Sequence, residues 1–272
     1  MNIKLPFDVE IGDKLTLIAG PCVAESWETC CEIATYLKEL CAKLDVNYIF
    51  KASYDKANRS SGESFRGLGI EAGLQILEDI RHELQVPVIT DVHAVNEVNM
   101  AAEVVDILQI PAFLCRQTDL LMAAGNSGKV VNIKKGQFMA PEDMQAAVNK
   151  VMSTGNEQVM VTERGTTFGY HNLVVDMRSL ATMRSIGIPV VFDATHSVQL
   201  PGGLGNCSGG QREFIRPLAR AAAAVGIDVL FAEVHPDPDK ALSDGPNSLN
   251  FTDLAVVLRE TKEIYDIQRK NS

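Results

Sequence analysis

The side chains of this chain best suited to chemistry form two sets. The first is cationic and comprises Lys51, Lys56, Arg59, Lys134 and Arg164, with Arg116 as a further member. Residues 51–61 read K-A-S-Y-D-K-A-N-R-S-S and directly follow the apolar run Tyr48-Ile49-Phe50. So dense a group of lysine, arginine, asparagine and serine donors suits phosphate or carboxylate oxygens. A solvated loop could have the same composition, so anion binding needs support from elsewhere in the chain. The second set is Cys22, His196 and Glu233 with a further carboxylate, Asp237 or Asp244. Thiolate, imidazole and carboxylate together suit one divalent transition metal ion such as Zn²⁺, Fe²⁺ or Mn²⁺. Ligands this scattered point to a catalytic ion, and no C-x-x-C pair exists to build a structural zinc knuckle.

Both sets fall at the ends of short apolar runs. Strands are expected at 15–19, 48–52, 87–90, 107–110, 130–133, 158–161, 189–192 and 229–232. The residues that end them are Cys22, Lys51, Asp91 with His93, Lys134, Arg164, His196 and Glu233. Helical patterns separate the runs. One is capped by Ser26 and continues to about Leu44. Another spans 70–84, with Ile70, Leu74, Leu77, Ile80 and Leu84 on one face. Others are expected at 96–105, after a cap at Thr118 or Asp119, after Pro141, at 177–185, at 211–225 and from 253 to about Gln268.

About eight strand–helix units in a row predict a single-domain (β/α)₈ barrel over residues 1–272, in the α/β class. A doubly wound sheet is the alternative, but no G-x-G-x-x-G follows the first strand. In a barrel the strand ends open onto one face, so residues distant in sequence converge there. Any one of them could be an ordinary loop residue; seven at equivalent positions are the stronger signal. The glycine-rich stretch 201–210 lacks the G-K-[ST] of a P-loop and reads as a lid over the mouth.

The 272 residues are 46% hydrophobic and 22% charged, with a mean hydropathy of +0.03. The net charge of -10 and pI of about 5.0 argue against nucleic acid or an anionic membrane as partner. Clustered cations in an acidic chain then point to an anionic small molecule. No apolar run of about 18 residues or signal-peptide core is present, so a cytoplasmic enzyme with no membrane partner is expected. The six cysteines read as thiols.

Eight segments resemble the 3-deoxy-D-manno-octulosonate 8-phosphate synthases. They are I-A-G-P-C-x-x-E-S at 18–26, F-K-A-S-Y-D-K-A-N-R-S-S at 50–61, T-D-V-H at 90–93 and Q-I-P-A-F-L-C-R-Q-T-D at 109–119. The others are N-I-K-K-G-Q-F at 132–138, E-R-G-T-T-F-G-Y at 163–170, D-A-T-H-S-V-Q-L-P-G-G at 193–203 and E-V-H-P-D-P at 233–238. The resemblance covers essentially the whole chain. It implies condensation of phosphoenolpyruvate with D-arabinose 5-phosphate and water, giving the octulosonate phosphate and inorganic phosphate for the inner-core sugar of lipopolysaccharide.

By motif, it implies that Lys134 and Arg164 hold the phosphoenolpyruvate phosphate, with Lys56 near its carboxylate. Asn58, Arg59 and Ser60 would hold the sugar phosphate, Lys51 and Asp91 would line the same site, and Arg116 would reach in from a neighbouring subunit of a homotetramer. Cys22 in place of asparagine implies the metal-dependent class, with His196, Glu233 and Asp244 as the other ligands of one divalent ion. His196, Asp244 and Lys134 are the implied catalytic groups. Two other readings carry their own expectations. A seven-carbon sugar acid synthase would take erythrose 4-phosphate, but such enzymes carry K-P-R-T-S where this chain has K-A-N-R-S. A non-catalytic sugar-phosphate-binding barrel would release no phosphate.

Overall fold

Short runs that are apolar on both faces can be satisfied only where both faces are covered, and a closed parallel barrel inside a ring of helices does this. The computed structural model describes residues 2–58, 65–202 and 209–270. Its barrel strands are β1 (Thr16–Gly20), β2 (Asn47–Lys51), β3 (Val88–Asp91), β4 (Ile107–Ile110), β5 (Val130–Lys134), β6 (Val159–Glu163), β7 (Val190–Asp193) and β8 (Val229–Glu233). They pair in parallel in sequence order, and β8 closes onto β1 through the register Val229↔Thr16 to Glu233↔Gly20.

Helices α1 (Trp27–Leu44), α2 (Ile70–Leu84), α3 (Val95–Val104), α4 (Thr118–Asn126), α5 (Met144–Met152), α6 (Arg178–Arg184), α7 (Ile215–Val225) and α8 (Phe251–Lys270) follow the successive strands. Among the described residues no helix is long and apolar enough to cross a membrane.

The core has two layers. One lies between the sheet and the helices, where α1 contributes Cys30, Ile33, Ala34, Leu37 and Cys41 at helical spacing. The other fills the barrel with Ile18, Ile49, Ile89, Met160, Val191 and Phe231. A hairpin of Ile3–Leu5 with Val9–Ile11 adds Ile3 and Ile11 to that inner layer and floors the barrel. The Asn47 amide at the start of β2 donates to Glu10 O at 2.8 Å, which ties hairpin to barrel. No strand is expected here from the sequence, because three-residue strands are too short to show a period.

Helix starts follow local chemistry. The Ser26 hydroxyl accepts the N–H of Thr29 at 3.2 Å, the cap expected of it. Thr118 and Asp119 are not the cap of α4: Gln117 occupies that position without a side-chain bond, and Thr118 is already helical. Pro141 opens a 3₁₀ turn that leads into α5, consistent with its fixed φ and missing N–H.

Asp106, at the foot of β4, accepts Arg81 Nη2 at 3.0 Å from α2 and the Val88 N–H at 3.0 Å from β3. Its removal strands a half-buried guanidinium and a buried amide. Asp106→Ala is expected to destabilise the fold by about 3 kcal/mol. For a chain of this size that lowers Tm by roughly 6–12 °C. Calorimetry checks this, and a parental Tm would refute the anchoring role.

Candidate active site

The ends of β2, β3 and β5 and the loops after β2 to β8 surround a cavity of about 440 Å³ at the C-terminal mouth of the barrel. Lys51, Lys56, Asn58, Asp91, Lys134, Arg164, His196 and Asp244 all line it. Cys22 and Glu233 lie at its buried base, 3% and 0% exposed.

The base is acidic. Ligand atoms of Cys22, Glu233 and Asp244 lie within 4.8 Å of one another. Cys22 Sγ is 3.3 Å from Asp244 Oδ2, and His196 Nε2 stands 3.4 Å from Glu233 Oε1 and 3.8 Å from Asp244 Oδ2. Both Glu233 oxygens are buried without a hydrogen-bond partner. Burial pushes the Cys22 thiol well above its ordinary pKa, and the carboxylates of Asp244 and Glu233 push it further. This buried carboxylate accepts no hydrogen bond, and although Lys51 and Lys56 stand 3.5 and 3.8 Å away, it also faces a thiol and a second carboxylate; a divalent ion that deprotonates the thiol fits that donor set.

Asp237, the other candidate carboxylate, is not part of this group. It is half-exposed and pairs with Lys240 at 2.8 Å. Asp244 reaches the base because it takes a left-handed turn, φ 49°, just before Gly245. A Cβ on Gly245 would meet Pro238 O at 2.3 Å, so glycine permits this tight return.

The upper cavity is cationic. Lys51, 1% exposed, donates to Cys22 O at 3.1 Å and Ser53 Oγ at 3.0 Å and lies 3.5 Å from Glu233. Lys56 Nζ is 3.8 Å from Glu233. Burial alone would lower the Lys56 pKa, but Cys22, Glu233, Asp91 and Asp244 raise it instead. Arg164 Nη2 donates to Gln199 Oε1 at 3.1 Å, while its buried Nη1 has no partner. An unpaired guanidinium N–H in a cationic cavity is a donor waiting for an anion.

Several residues not singled out by the sequence reading complete the site. Asp193 Oδ2 accepts both Lys134 Nζ and His196 Nδ1 at 2.7 Å. Burial would raise the Asp193 carboxyl, but His196 and then Lys134 hold it well below the usual range. With Nδ1 engaged, the imidazole presents Nε2 to the acidic base, the arrangement that orients metal-binding histidines.

Asp91 is held similarly. It accepts Gln109 Nε2 at 2.7 Å and the Ser53 hydroxyl, and the chain continues from Asn132 to Gln109 at 2.8 Å and from Thr162 to Asn132 at 2.7 Å. These are polar residues inside otherwise apolar strands, and that break in the pattern is the signal that marks them in the sequence. His93 also lines the cavity, beside Tyr54 and Glu97.

Not every expected residue converges. Arg59 and Ser60 lie outside the described residues, as does most of the expected lid; Pro201 and Gly202 border the cavity. Arg116 is exposed and borders a second cavity with Phe138 and Lys150, and does not line the first.

A family model described as the DAHP synthetase I family matches residues 2–269. The chain belongs to the DAHP synthetase I family. Its relatives include proteins named 2-dehydro-3-deoxyphosphooctonate aldolase. That of Desulfatibacillum aliphaticivorans is 62% identical over 92% of each chain. Those of Syntrophotalea carbinolica and Geobacter sulfurreducens are 60% and 59% identical, covering 97% and 93% of this chain and 96% and 93% of their own. The DAHP synthetase I match spans the whole barrel, so the convergent residues above belong to the shared fold and not to an appended segment.

Proposed function

We propose that this enzyme condenses phosphoenolpyruvate with D-arabinose 5-phosphate and water to give 3-deoxy-D-manno-octulosonate 8-phosphate and inorganic phosphate. Relatives at about 60% identity carry the name of that reaction over nearly full length. The observation that carries the reading is one cavity with a cationic wall of Lys51, Lys56, Lys134 and Arg164 above an acidic base of Cys22, Glu233 and Asp244. Two phosphates and a carboxylate in the substrates match the wall, and an aldehyde needing polarisation matches the base.

In this reading Lys134 and Arg164 hold the phosphoenolpyruvate phosphate, and the unpartnered Arg164 Nη1 donates to it. Lys56 and Lys51 lie on the carboxylate side. Asn58, Arg59 and Ser60 receive the sugar phosphate, joined by Arg116 from a neighbouring copy in a homotetramer. A divalent ion held by Cys22, His196, Glu233 and Asp244 would supply Lewis acidity toward the aldehyde oxygen. Cys22, beside Glu233 and Asp244, supports the metal-dependent reading.

Carbon three of phosphoenolpyruvate attacks the aldehyde carbon, and positive charge develops at carbon two. Water adds there, and phosphate leaves with cleavage of its bond to carbon. Asp91 and Glu233 offset the lysines around the developing cation, while Lys134 and Arg164 take up the charge of the leaving phosphate. Of the two acid–base candidates, Asp244 moves the protons of the water and the new hydroxyl, while His196, with Nδ1 on Asp193 and Nε2 toward the ion, orients the site. The work is that of a cytoplasmic enzyme supplying the inner-core sugar of lipopolysaccharide.

Phosphate release tests this directly. The enzyme is expected to release phosphate with arabinose 5-phosphate at least about tenfold faster than with erythrose 4-phosphate, and exhaustive chelation should suppress release. Preference for the four-carbon aldehyde would move the chain to the seven-carbon synthases, and no release with either would leave only a binding barrel.

A further inference from the structure

The two strand ends that give the cavity Lys134 and Arg164 also carry a buried pair on the far side of the barrel wall. Side chains alternate along a strand, so Lys135 and Glu163 face the helices. Both are buried, 0% and 1% exposed, with Lys135 Nζ 3.5 Å from Glu163 Oε1. Lys135 also donates to Thr166 Oγ1 at 2.9 Å and Met139 O at 3.4 Å, binding the loop after β5 to the loop after β6. Glu163 Oε1 accepts the backbone N–H of Arg164 at 3.1 Å and of Gly165 at 2.7 Å. Its Oε2 accepts the Ser179 hydroxyl from α6 at 2.6 Å.

On the cavity side, Lys134 and Arg164 are two buried cations whose aim matters, with Lys134 held by Asp193 at 2.7 Å and Arg164 Nη1 without a hydrogen-bond partner. On the outer side, one residue away on each strand, opposite charges attract. We infer that the Lys135–Glu163 pair is a buckle that fixes the spacing and aim of Lys134 and Arg164, making Lys135, Glu163 and Ser179 positioning residues for phosphoenolpyruvate. The inference rests on the reading that Lys134 and Arg164 hold the phosphate. A buried ion pair is a poor device for stability, since apolar replacements of similar volume are often neutral. It is a good device for direction, because its bonds go to the Arg164 amide and to both flanking loops.

The test is a Lys135→Met/Glu163→Gln double variant, which removes both charges and leaves no buried charge unpaired. Phosphoenolpyruvate affinity is measured by calorimetry without acceptor, and KM is measured separately for each substrate. The dissociation constant and KM for phosphoenolpyruvate are expected to rise about tenfold or more, while KM for arabinose 5-phosphate stays within about twofold. A purely structural role would lower Tm without that split.

Ser179→Ala keeps both charges and removes only the hydroxyl that orients Glu163. It is expected to raise the phosphoenolpyruvate constants about threefold, and it decides the matter if the double variant does not fold. Arg164→Ala is run alongside. If it leaves phosphoenolpyruvate affinity unchanged, the phosphate assignment itself fails. If it weakens binding while the folded positioning variants bind as the parent does, the buckle is overturned.

Discussion

A Cys22→Ala protein is expected to hold no tightly bound divalent ion and to turn over about 10³-fold more slowly than the parent. The expectation comes from the base of the cavity. Glu233 is wholly buried and neither oxygen accepts a hydrogen bond, with Lys51 and Lys56 no nearer than 3.5 Å, and Cys22 and Asp244 bring two further acidic groups within 4.8 Å. A cation resolves the electrostatics of that cluster, and the soft thiolate favours a transition metal over Mg²⁺. Alanine removes that ligand and leaves a carboxylate pair with a histidine, a weaker and less selective set. The fold should survive, because a small apolar side chain replaces a buried thiol that is crowded by carboxylates. Metal content after dialysis and phosphate release with Zn²⁺, Fe²⁺ or Mn²⁺ restored are the two measurements. A variant that keeps a stoichiometric ion would remove Cys22 from the ligands. One that loses the ion yet turns over normally would remove the metal from the reaction.

The barrel strands were legible because buried parallel strands are mostly apolar runs, and seven of the eight are followed by a polar residue at or just past the end. That pattern depends on the two-sided burial of the sheet, which any sequence for this fold must satisfy. The floor hairpin was not legible. Ile3, Leu5, Val9 and Ile11 have meaning only once a barrel end exists for them to close.

The same division runs through the site. Lys51, Lys134, Arg164, His196 and Glu233 stand out as charges at strand ends. Asp237 and Asp244 could not be separated from composition, because the choice lies in a left-handed turn that brings back a residue eleven positions past β8. Lys135 and Glu163 hide behind their neighbours: one step along a strand reverses the face, and the sequence alone does not say which of two adjacent charges turns inward. Asp193 hides because its role is toward His196 and Lys134 and not toward the cavity.

Replacing that aspartate is expected to have the second large effect. Asp193→Asn should lower kcat by about 10²–10³ while the protein remains folded. One carboxylate oxygen accepts both Lys134 Nζ and His196 Nδ1 at 2.7 Å, and the other accepts the His196 N–H at 2.9 Å. An amide offers one acceptor oxygen in place of two. If its N–H₂ takes the Oδ2 position, it meets the Lys134 ammonium and the imidazole N–H together as donor against donor, so the imidazole is free to turn or to change tautomer and Nε2 no longer faces Glu233 and Asp244. If its oxygen stays there, the N–H₂ opposes the His196 backbone N–H, and the Lys134 ammonium still loses its counter-charge over the Phe231 ring, 4.1 Å from its centroid.

Both failures act on the reacting groups and neither touches the sugar-phosphate residues, so KM for arabinose 5-phosphate should change little while kcat falls. Metal affinity should weaken about 10–100-fold, the usual consequence of removing the partner that orients a ligating histidine. Kinetics and metal titration on the same preparation separate these effects. Parental turnover with parental metal affinity would mean that His196 and Lys134 are held by the packing around them and not by Asp193.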